Sequence, residues 1–257
     1  MAVIDGSTSK TAIRINPAES NGRYCMQLVG QAITRLPSEI SCPEFCNIVT
    51  DAISMAYQHF HIDPTIIVQY PERRLTCSAA VYSYYHRQIW MIGDCQCLVD
   101  GVLYENNKPQ EAANARKRSE YIQSRHLSAE EIMKHDLGRD FIVNDIISSM
   151  KSQNKSYAVI DGTPIYQKGI RIIDVSEAHE IVLATDGYPF LKPTLKESEE
   201  ALEKLLREDP MLISQYQATK GIMQGNRSFD DRAYIRFRNS PFIFINKNLQ
   251  KSNTNKI

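Results

Sequence analysis

The spacing of apolar residues changes along this chain, and each change predicts a different kind of element. Apolar residues recur every three to four positions over residues 21–36 and again after Ser41, where Glu44 completes a capping box. This period predicts two amphipathic helices, and the apolar stripe of the second is Phe45, Ile48, Val49, Ala52, Ile53, Ala56 and Phe60. Between residues 75 and 99 the period shortens to two and β-branched and aromatic residues become frequent, with breaks at His86-Arg87 and Asp100-Gly101. That pattern predicts an antiparallel meander of strands.

The rest of the chain alternates between blocks of helix and blocks of strand. The helical blocks are residues 109–153, with Ser128 capping toward Glu131, and 194–206, where Thr194 and Glu197 form a capping box. The strand patterns are residues 2–4, 157–160, 170–175, 180–185, 233–237 and 242–245. Strands in blocks, separated by blocks of helix, favour antiparallel sheets covered by helices. We expect an α+β fold, an α-β-β-α sandwich of two mainly antiparallel sheets flanked by helices, in one domain over residues 1–245 with a polar tail at 246–257.

Composition narrows the class of protein. The chain has 257 residues, 42% of them hydrophobic, and its 30 basic residues balance 30 acidic ones. A balanced charge provides no general attraction for nucleic acid or an anionic membrane surface, and no apolar run reaches the roughly 20 residues that span a bilayer. The six cysteines show no Cys-x-x-Cys spacing, and no leader precedes them. We therefore expect a cytoplasmic monomer with reduced thiols that binds neither nucleic acid nor membrane.

Three of the strand patterns carry an aspartate at one end. Asp5 follows Ala-Val-Ile, Asp186 follows the strand pattern at 180–185, and Asp230 shortly precedes that at 233–237. A carboxylate at the end of a buried strand is costly unless it is paired, and hard divalent cations prefer such oxygen ligands. The pattern predicts a Mg²⁺ or Mn²⁺ site. Each Asp-Gly pair taken alone is also a common turn, and Asp161-Gly162 is read as a plain turn.

Five short motifs occur in a characteristic order. They are Val3-Ile-Asp-Gly, Cys77-Ser-Ala-Ala-Val, Trp90-Met-Ile-Gly-Asp-Cys, Leu183-Ala-Thr-Asp-Gly, and Asp230-Asp ahead of a strand. This order resembles the metal-dependent Ser/Thr protein phosphatases of type 2C, in which the same stations read roughly Asp-Gly-His-Gly-Gly, Gly-Ser-Thr-Ala, Gly-Asp-Ser-Arg, Ala-Ser-Asp-Gly and Asp-Asn or Asp-Asp. The resemblance covers almost the whole chain. It implies the α-β-β-α sandwich and hydrolysis of phosphomonoesters, with phosphoserine or phosphothreonine in proteins as substrate.

The resemblance also implies roles for individual residues. Asp5 would bridge two Mn²⁺ or Mg²⁺ ions, the Gly6 carbonyl would contact the second ion, and Asp186 and Asp230 would complete the first. Asp5, Asp186 and Asp230 are thus the expected catalytic residues, since a metal-bridged water would attack the phosphoryl group without a covalent enzyme intermediate. Asp94 matches the aspartate of the Gly-Asp-Ser station, which we read as shaping a turn rather than binding metal.

The sequence departs from the family pattern at several motifs. Residues 7–10, Ser-Thr-Ser-Lys, replace the His and Gly after Asp-Gly, which removes the candidate general acid and leaves Lys10 as the expected phosphate-binding residue. Residues 106–109, Asn-Asn-Lys-Pro, replace Asp-His-Lys-Pro, so a third ion is not expected. The family's phosphate-binding arginine and a further acidic residue precede the Asp-Gly station, where the given sequence begins.

Two other readings of the sequence remain open. The departures favour a non-catalytic phosphatase-like module that binds metal or a phosphoprotein. Residues 5–10 also resemble the first phosphate loop of sugar kinases and their actin-like relatives, although the strands at 75–99 fit that fold poorly. Within the phosphatase reading, residues 106–140 are long and partly basic, which predicts a flap over the site with Arg116, Lys117, Arg118 and Arg125.

Overall fold

Two four-stranded antiparallel sheets form the centre of the protein, as the sequence predicts. The computed structural model describes residues 1–239. The strands are β1 Ala2–Gly6, β2 Cys77–Ser83, β3 Gln88–Ile92, β4 Gln96–Val99, β5 Val102–Tyr104, β6 Arg171–Asp174, β7 Glu180–Ala184 and β8 Tyr234–Arg238. The first sheet has the order β1-β2-β3-β6 and the second the order β5-β4-β7-β8. The expected α+β fold class is confirmed.

Seven α-helices accompany the sheets in the described residues. They are α1 Asn21–Ile33, α2 Cys42–His59, α3 Pro64–Gln69, α4 Glu111–Ser124, α5 Ala129–Lys134, α6 Leu137–Met150 and α7 Leu195–Glu208. The two predicted capping boxes are present at the starts of α2 and α7, and the predicted cap at Ser128 is a third capping box at the start of α5. None of the helices within residues 1–239 has the length and apolar character needed to cross a bilayer.

Apolar residues are buried between the two sheets and also against the outer face of each sheet. Val3 and Met91 of the first sheet pack with Cys97 and Leu183 of the second, so the sheets stack with their inner faces together. The outer face of the first sheet packs against α1 and α2, and the buried stripe of α2 includes Phe45. The outer face of the second sheet is covered by the segment that follows β7. Tyr188 and Leu191 of this segment pack with Val182 of β7.

Several expectations about single elements were wrong. The predicted meander divides between the sheets, because β2 and β3 pair in the first while β4 pairs with β5 and β7 in the second. Residues 157–160 form isolated bridges, from Ile160 to Cys77 and from Tyr157 to Gln153, instead of a strand. Ile48 of the predicted apolar stripe is exposed, since it faces away from the sheet. The predicted strand at 242–245 and the tail at 246–257 lie outside the described residues.

The close approach of β1 and α1 positions the Asp-Gly loop. A Cβ atom on Gly6 would lie 2.5 Å from the carbonyl oxygen of Gly22, and one on Gly22 would lie 2.2 Å from that of Ser7. Only glycine leaves room for these backbones to approach so closely. The antiparallel register then places Asp5 opposite Ser78. The end of β1 is thereby held against the start of β2 and the N-terminal turn of α1.

Candidate metal and phosphate site

The three predicted aspartates come together in one small cavity. Asp5, Asp186 and Asp230 line a cavity of about 80 Å³ together with Asp94 and Glu111, and we call this the carboxylate cavity. Gly6 and Lys10, the other two predicted site residues, also line it. The structure therefore brings all five predicted residues to one place, from β1, the loop after β1, the end of β7 and the segment ahead of β8.

Without a bound cation, the protein disfavours the ionised forms of the Asp5 and Asp186 carboxyl groups. Burial raises the pKa of Asp5 to about 6, and the negative charges of Asp230 and Asp94 act in the same direction, although a hydrogen bond with Asp186 lowers it. Burial, followed by the charges of Asp94 and Asp5, holds the pKa of Asp186 well above its usual range. Asp186 Oδ1 is buried without a hydrogen-bond partner among the described residues. A divalent cation would satisfy this oxygen and relieve the repulsion, so the donor set fits such an ion.

Glu111 is a site residue that the sequence reasoning missed. It lies in the first turn of α4, and one carboxylate oxygen of each of Asp94, Glu111 and Asp186 lies within 4.8 Å of the others. Asn106, which replaces the aspartate of Asp-His-Lys-Pro in the family pattern, donates its side-chain amide to the Gly93 carbonyl at 3.0 Å. Glu111 lies two residues after Pro109 at the start of a helical pattern, where charged residues are common, so no specific signal marked it.

Asp94 shapes the crossing between the sheets, as expected, and also lies among the carboxylates. It follows Gly93, whose φ of +84° suits glycine, in the bend that joins β3 of one sheet to β4 of the other. Asp94 Oδ1 accepts a hydrogen bond from Ser78 Oγ at 2.5 Å, and Oδ2 pairs with the Lys108 ammonium. Burial acts to raise the pKa of Asp94, but the Lys108 charge and the hydrogen bonds from Lys108 and Ser78 together outweigh it and hold this pKa at about 2. Asp94 is therefore an ionised carboxylate whose two oxygens already have partners.

Asp230 also has a partner within the protein. Its Oδ1 forms an ion pair with Lys220 Nζ, and that ammonium donates a second hydrogen bond to Thr8 Oγ1 at 2.8 Å. Both side chains of the pair are 20% exposed. A cation that binds to Asp230 must therefore compete with Lys220 for the carboxylate.

Four basic side chains face the five carboxylates of the cavity. They are Lys10, Lys108, Arg139 and Lys220. Lys10 Nζ donates to Ser7 Oγ at 2.8 Å, and no carboxylate of residues 1–239 lies within ion-pair distance of it. Burial, followed by the positive charges of Lys108 and Arg139, lowers the pKa of Lys10 to about 7. The site thus combines carboxylates suited to a cation with basic groups suited to an anion.

A wider cleft of about 900 Å³ adjoins the carboxylate cavity. The two share Thr8, Arg139, Lys220 and Asp230 as lining residues. Elsewhere the cleft is lined both by apolar and aromatic residues, which are Tyr188, Leu195, Phe229 and Tyr234, and by charged residues that include Glu199, Arg227 and Arg232. A volume of this size suits a ligand much larger than a phosphoryl group.

The predicted basic flap is only partly consistent with the structure. Glu111 of α4 and Arg139 of α6 do reach the site, but Arg118 is completely buried and is unavailable to any substrate. Arg118 Nε donates to Asp136 Oδ2 at 3.0 Å, and its Nη1 donates to carbonyls of Met211, Leu212 and Ala218. Asp136 in turn accepts from the Gly221 amide at 2.7 Å. This buried pair anchors the segment that presents Lys220 to the cavity.

Comparisons with known proteins give structural neighbours only. No family model and no curated protein matches the chain. Similar solved structures include PppA, a key regulatory component of T6SS in Pseudomonas aeruginosa, at 12% identity and a TM-score of 0.39, over 92% of this chain and 85% of that one. A bacterial serine phosphatase matches at 12% identity and a TM-score of 0.40, over 94% and 98%. The catalytic domain of the serine/threonine phosphatase PstP, in complex with two manganese ions, matches at 14% and 0.32, over 79% and 83%.

The second and third of these neighbours are described as phosphatases. At these identities, residue roles cannot be transferred from them. The interpretation of the site therefore rests on its own geometry and charges.

Proposed function

We propose that this protein is a metal-dependent phosphatase that hydrolyses phosphomonoesters, with phosphoserine or phosphothreonine in proteins as its substrates. The observation that carries the proposal is the meeting of Asp5, Asp186 and Asp230 in one cavity with Lys10, a basic side chain without a carboxylate partner in residues 1–239. Such a site suits a substrate whose anionic group is bound next to a metal. A phosphomonoester has this character.

The proposed metal ligands are the Asp5, Asp186 and Asp230 carboxylates and the Gly6 carbonyl, for two Mn²⁺ or Mg²⁺ ions. Two observations support this assignment, namely that Asp186 Oδ1 is buried without a hydrogen-bond partner in residues 1–239 and that the pKa of Asp5 is raised. A cation would relieve both. When bound, the metal supplies an activated water and neutralises charge on the phosphoryl oxygens.

The other residues have separate proposed tasks. Lys10 binds a phosphoryl oxygen, because its ammonium faces the cavity and is held there by Ser7. Asp94 keeps the loop of Lys108 against the cavity through their ion pair. The wide cleft accepts the part of the substrate beyond the phosphoryl group, and its aromatic walls suit the side chains of a protein segment.

A non-catalytic module that binds a phosphoprotein is the second candidate function. It is favoured by the ion pairs of Lys108 with Asp94 and of Lys220 with Asp230. These ammonium groups already neutralise two of the five carboxylates, which reduces the electrostatic demand for a metal.

Hydrolysis of p-nitrophenyl phosphate with Mn²⁺, with and without EDTA, tests the proposal. Asp186→Asn and Asp230→Asn are expected to lower the metal-dependent rate by more than about 100-fold, since loss of a group that only orients a metal ligand already costs 10- to 100-fold. Asp145→Asn is the matched control, because Asp145 is an exposed aspartate that pairs with Lys117 away from the cavity. A folded wild-type protein that binds Mn²⁺ and a phosphoserine peptide without turnover would instead establish the binding module.

A further inference from the structure

Arg139 is held firmly at the edge of the carboxylate cavity. It lies in the first turn of α6, where its backbone amide donates to Asp136 Oδ1 at 2.9 Å. At the other end of the side chain, Nη1 donates to the Thr219 carbonyl at 3.0 Å. The backbone and the guanidinium are thus each fixed by a contact with a different part of the chain. The orientation of the guanidinium is set before any ligand arrives.

Among residues 1–239, the guanidinium nevertheless has no ion-pair partner. No carboxylate oxygen of residues 1–239 lies within 4.0 Å of it, although five carboxylates line the cavity it borders. Lys108 and Lys220, which line the same cavity, each have an aspartate partner. Burial lowers the pKa of Arg139 even though Asp136 and Glu111 act to raise it. A partly buried guanidinium that keeps donors free of carboxylates is suited to bind an anion.

The position of Arg139 relates this anion to the proposed chemistry. Arg139 lines the carboxylate cavity, the wide cleft and a second small pocket of about 80 Å³. Lys10 lines that second pocket and the carboxylate cavity as well. An anion at the point where these spaces meet would face both basic groups, with the proposed metal ligands on one side and the wide cleft on the other.

We propose that Arg139 binds the phosphoryl group of the substrate, with its guanidinium donating to the phosphoryl oxygens opposite Lys10. This inference rests on the proposed function and assigns the phosphoryl-binding arginine to α6. A guanidinium presents a planar fork of donors that matches a phosphoryl group, whereas the ammonium of a lysine is a point charge. Arg139→Lys should therefore keep the positive charge but lose the paired hydrogen bonds to the phosphoryl oxygens.

Binding of inorganic phosphate, the reaction product, is the direct test. Its dissociation constant is measured by calorimetry with Mn²⁺ present, alongside KM and kcat for p-nitrophenyl phosphate. Arg139→Met is expected to weaken phosphate binding by about 10- to 100-fold, the usual loss for charge-assisted hydrogen bonds, and Arg139→Lys by at least about 5-fold. Mn²⁺ affinity, measured separately, is expected to change by less than about 3-fold in both. Arg116→Met is the control, because Arg116 is exposed and contacts only the exposed Glu120, one turn further along α4, among the ion pairs of residues 1–239.

The possible outcomes separate this inference from the proposed function. Wild-type hydrolysis together with unchanged phosphate affinity and KM in both variants at position 139 would overturn the role of Arg139 and leave the phosphatase intact. Weakened phosphate binding in both variants supports the inference, whether or not the wild-type protein turns over the ester. A wild-type protein that neither hydrolyses the ester nor binds phosphate would refute both. If Arg139→Met does not fold because the Thr219 contact is lost, Arg139→Lys decides the question.

Discussion

Replacing Asp5 by asparagine should stabilise the metal-free protein while removing its response to metal. The pKa of Asp5 is raised from 3.8 to about 6, chiefly by burial. A carboxyl group with a raised pKa in the folded state destabilises that state as the pH rises from the unfolded pKa through the folded one, because the folded protein then has to release a proton it holds more tightly. Asparagine has nearly the same shape and does not titrate.

The size of the effect follows from the same numbers. A shift from 3.8 to about 6 corresponds to about 3 kcal/mol at pH 7 and about half of that at pH 5. Since solvent reaches part of the site, we expect about 2 to 3 kcal/mol at pH 7. For a chain of this length, that gain raises the melting temperature by about 5 to 10 °C.

Thermal and urea unfolding in EDTA at pH 5 and pH 7 measure this difference. Asp5→Asn should be more stable than the wild type at pH 7 and should lose part of that advantage at pH 5. With excess Mn²⁺ the order should reverse, because ligand at 1,000 times its dissociation constant stabilises only the binding-competent wild type, by about 4.1 kcal/mol, which exceeds the advantage of the variant. A stability difference that is the same at both pH values, or a metal-free wild type that is the more stable at pH 7, would refute the reasoning.

Two further predictions concern the basic residues around the cavity. Lys220→Met removes the ammonium that competes for Asp230, so Mn²⁺ affinity measured by calorimetry should rise by about tenfold, and an unchanged or weaker affinity would contradict the competition. Arg118→Met leaves the Asp136 carboxylate buried without its charge partner and should lower the free energy of unfolding by about 3 to 5 kcal/mol. The exposed control Arg116→Met should lower it by less than about 0.5 kcal/mol. Urea titrations monitored by circular dichroism measure both values.

Much of the secondary structure could be predicted because its signals are local. The capping box at Ser41 and Glu44 and the turn at Asp100-Gly101 depend on residues a few positions apart, and both are present in the structure. The sheet to which a strand belongs is not a local property. The strands β3 and β4 read as neighbours in one meander, yet the bend at Gly93 sends them to different sheets.

The candidate site likewise contains residues that could be predicted from the sequence and residues that could not. Asp5, Asp186 and Asp230 could be found from the sequence because each stands at the end of a strand pattern, where a carboxylate has a recognisable context. Glu111 and Arg139 stand at the starts of helices, where charged residues are common and carry no signal of a site. Their contribution depends on how α4 and α6 pack against the sandwich.

By itself, the amino-acid sequence determined the class of the fold, most of its helices and strands, and the three aspartates that end or precede strands. It did so because periodicity, caps and turn residues act within a few positions of the chain. Only the tertiary structure decided how strands divide between the sheets, that Lys220 pairs with Asp230, and that Arg139 borders the cavity without a carboxylate partner among residues 1–239. These are contacts between distant residues, and their distances and burial result from the packing of the whole domain.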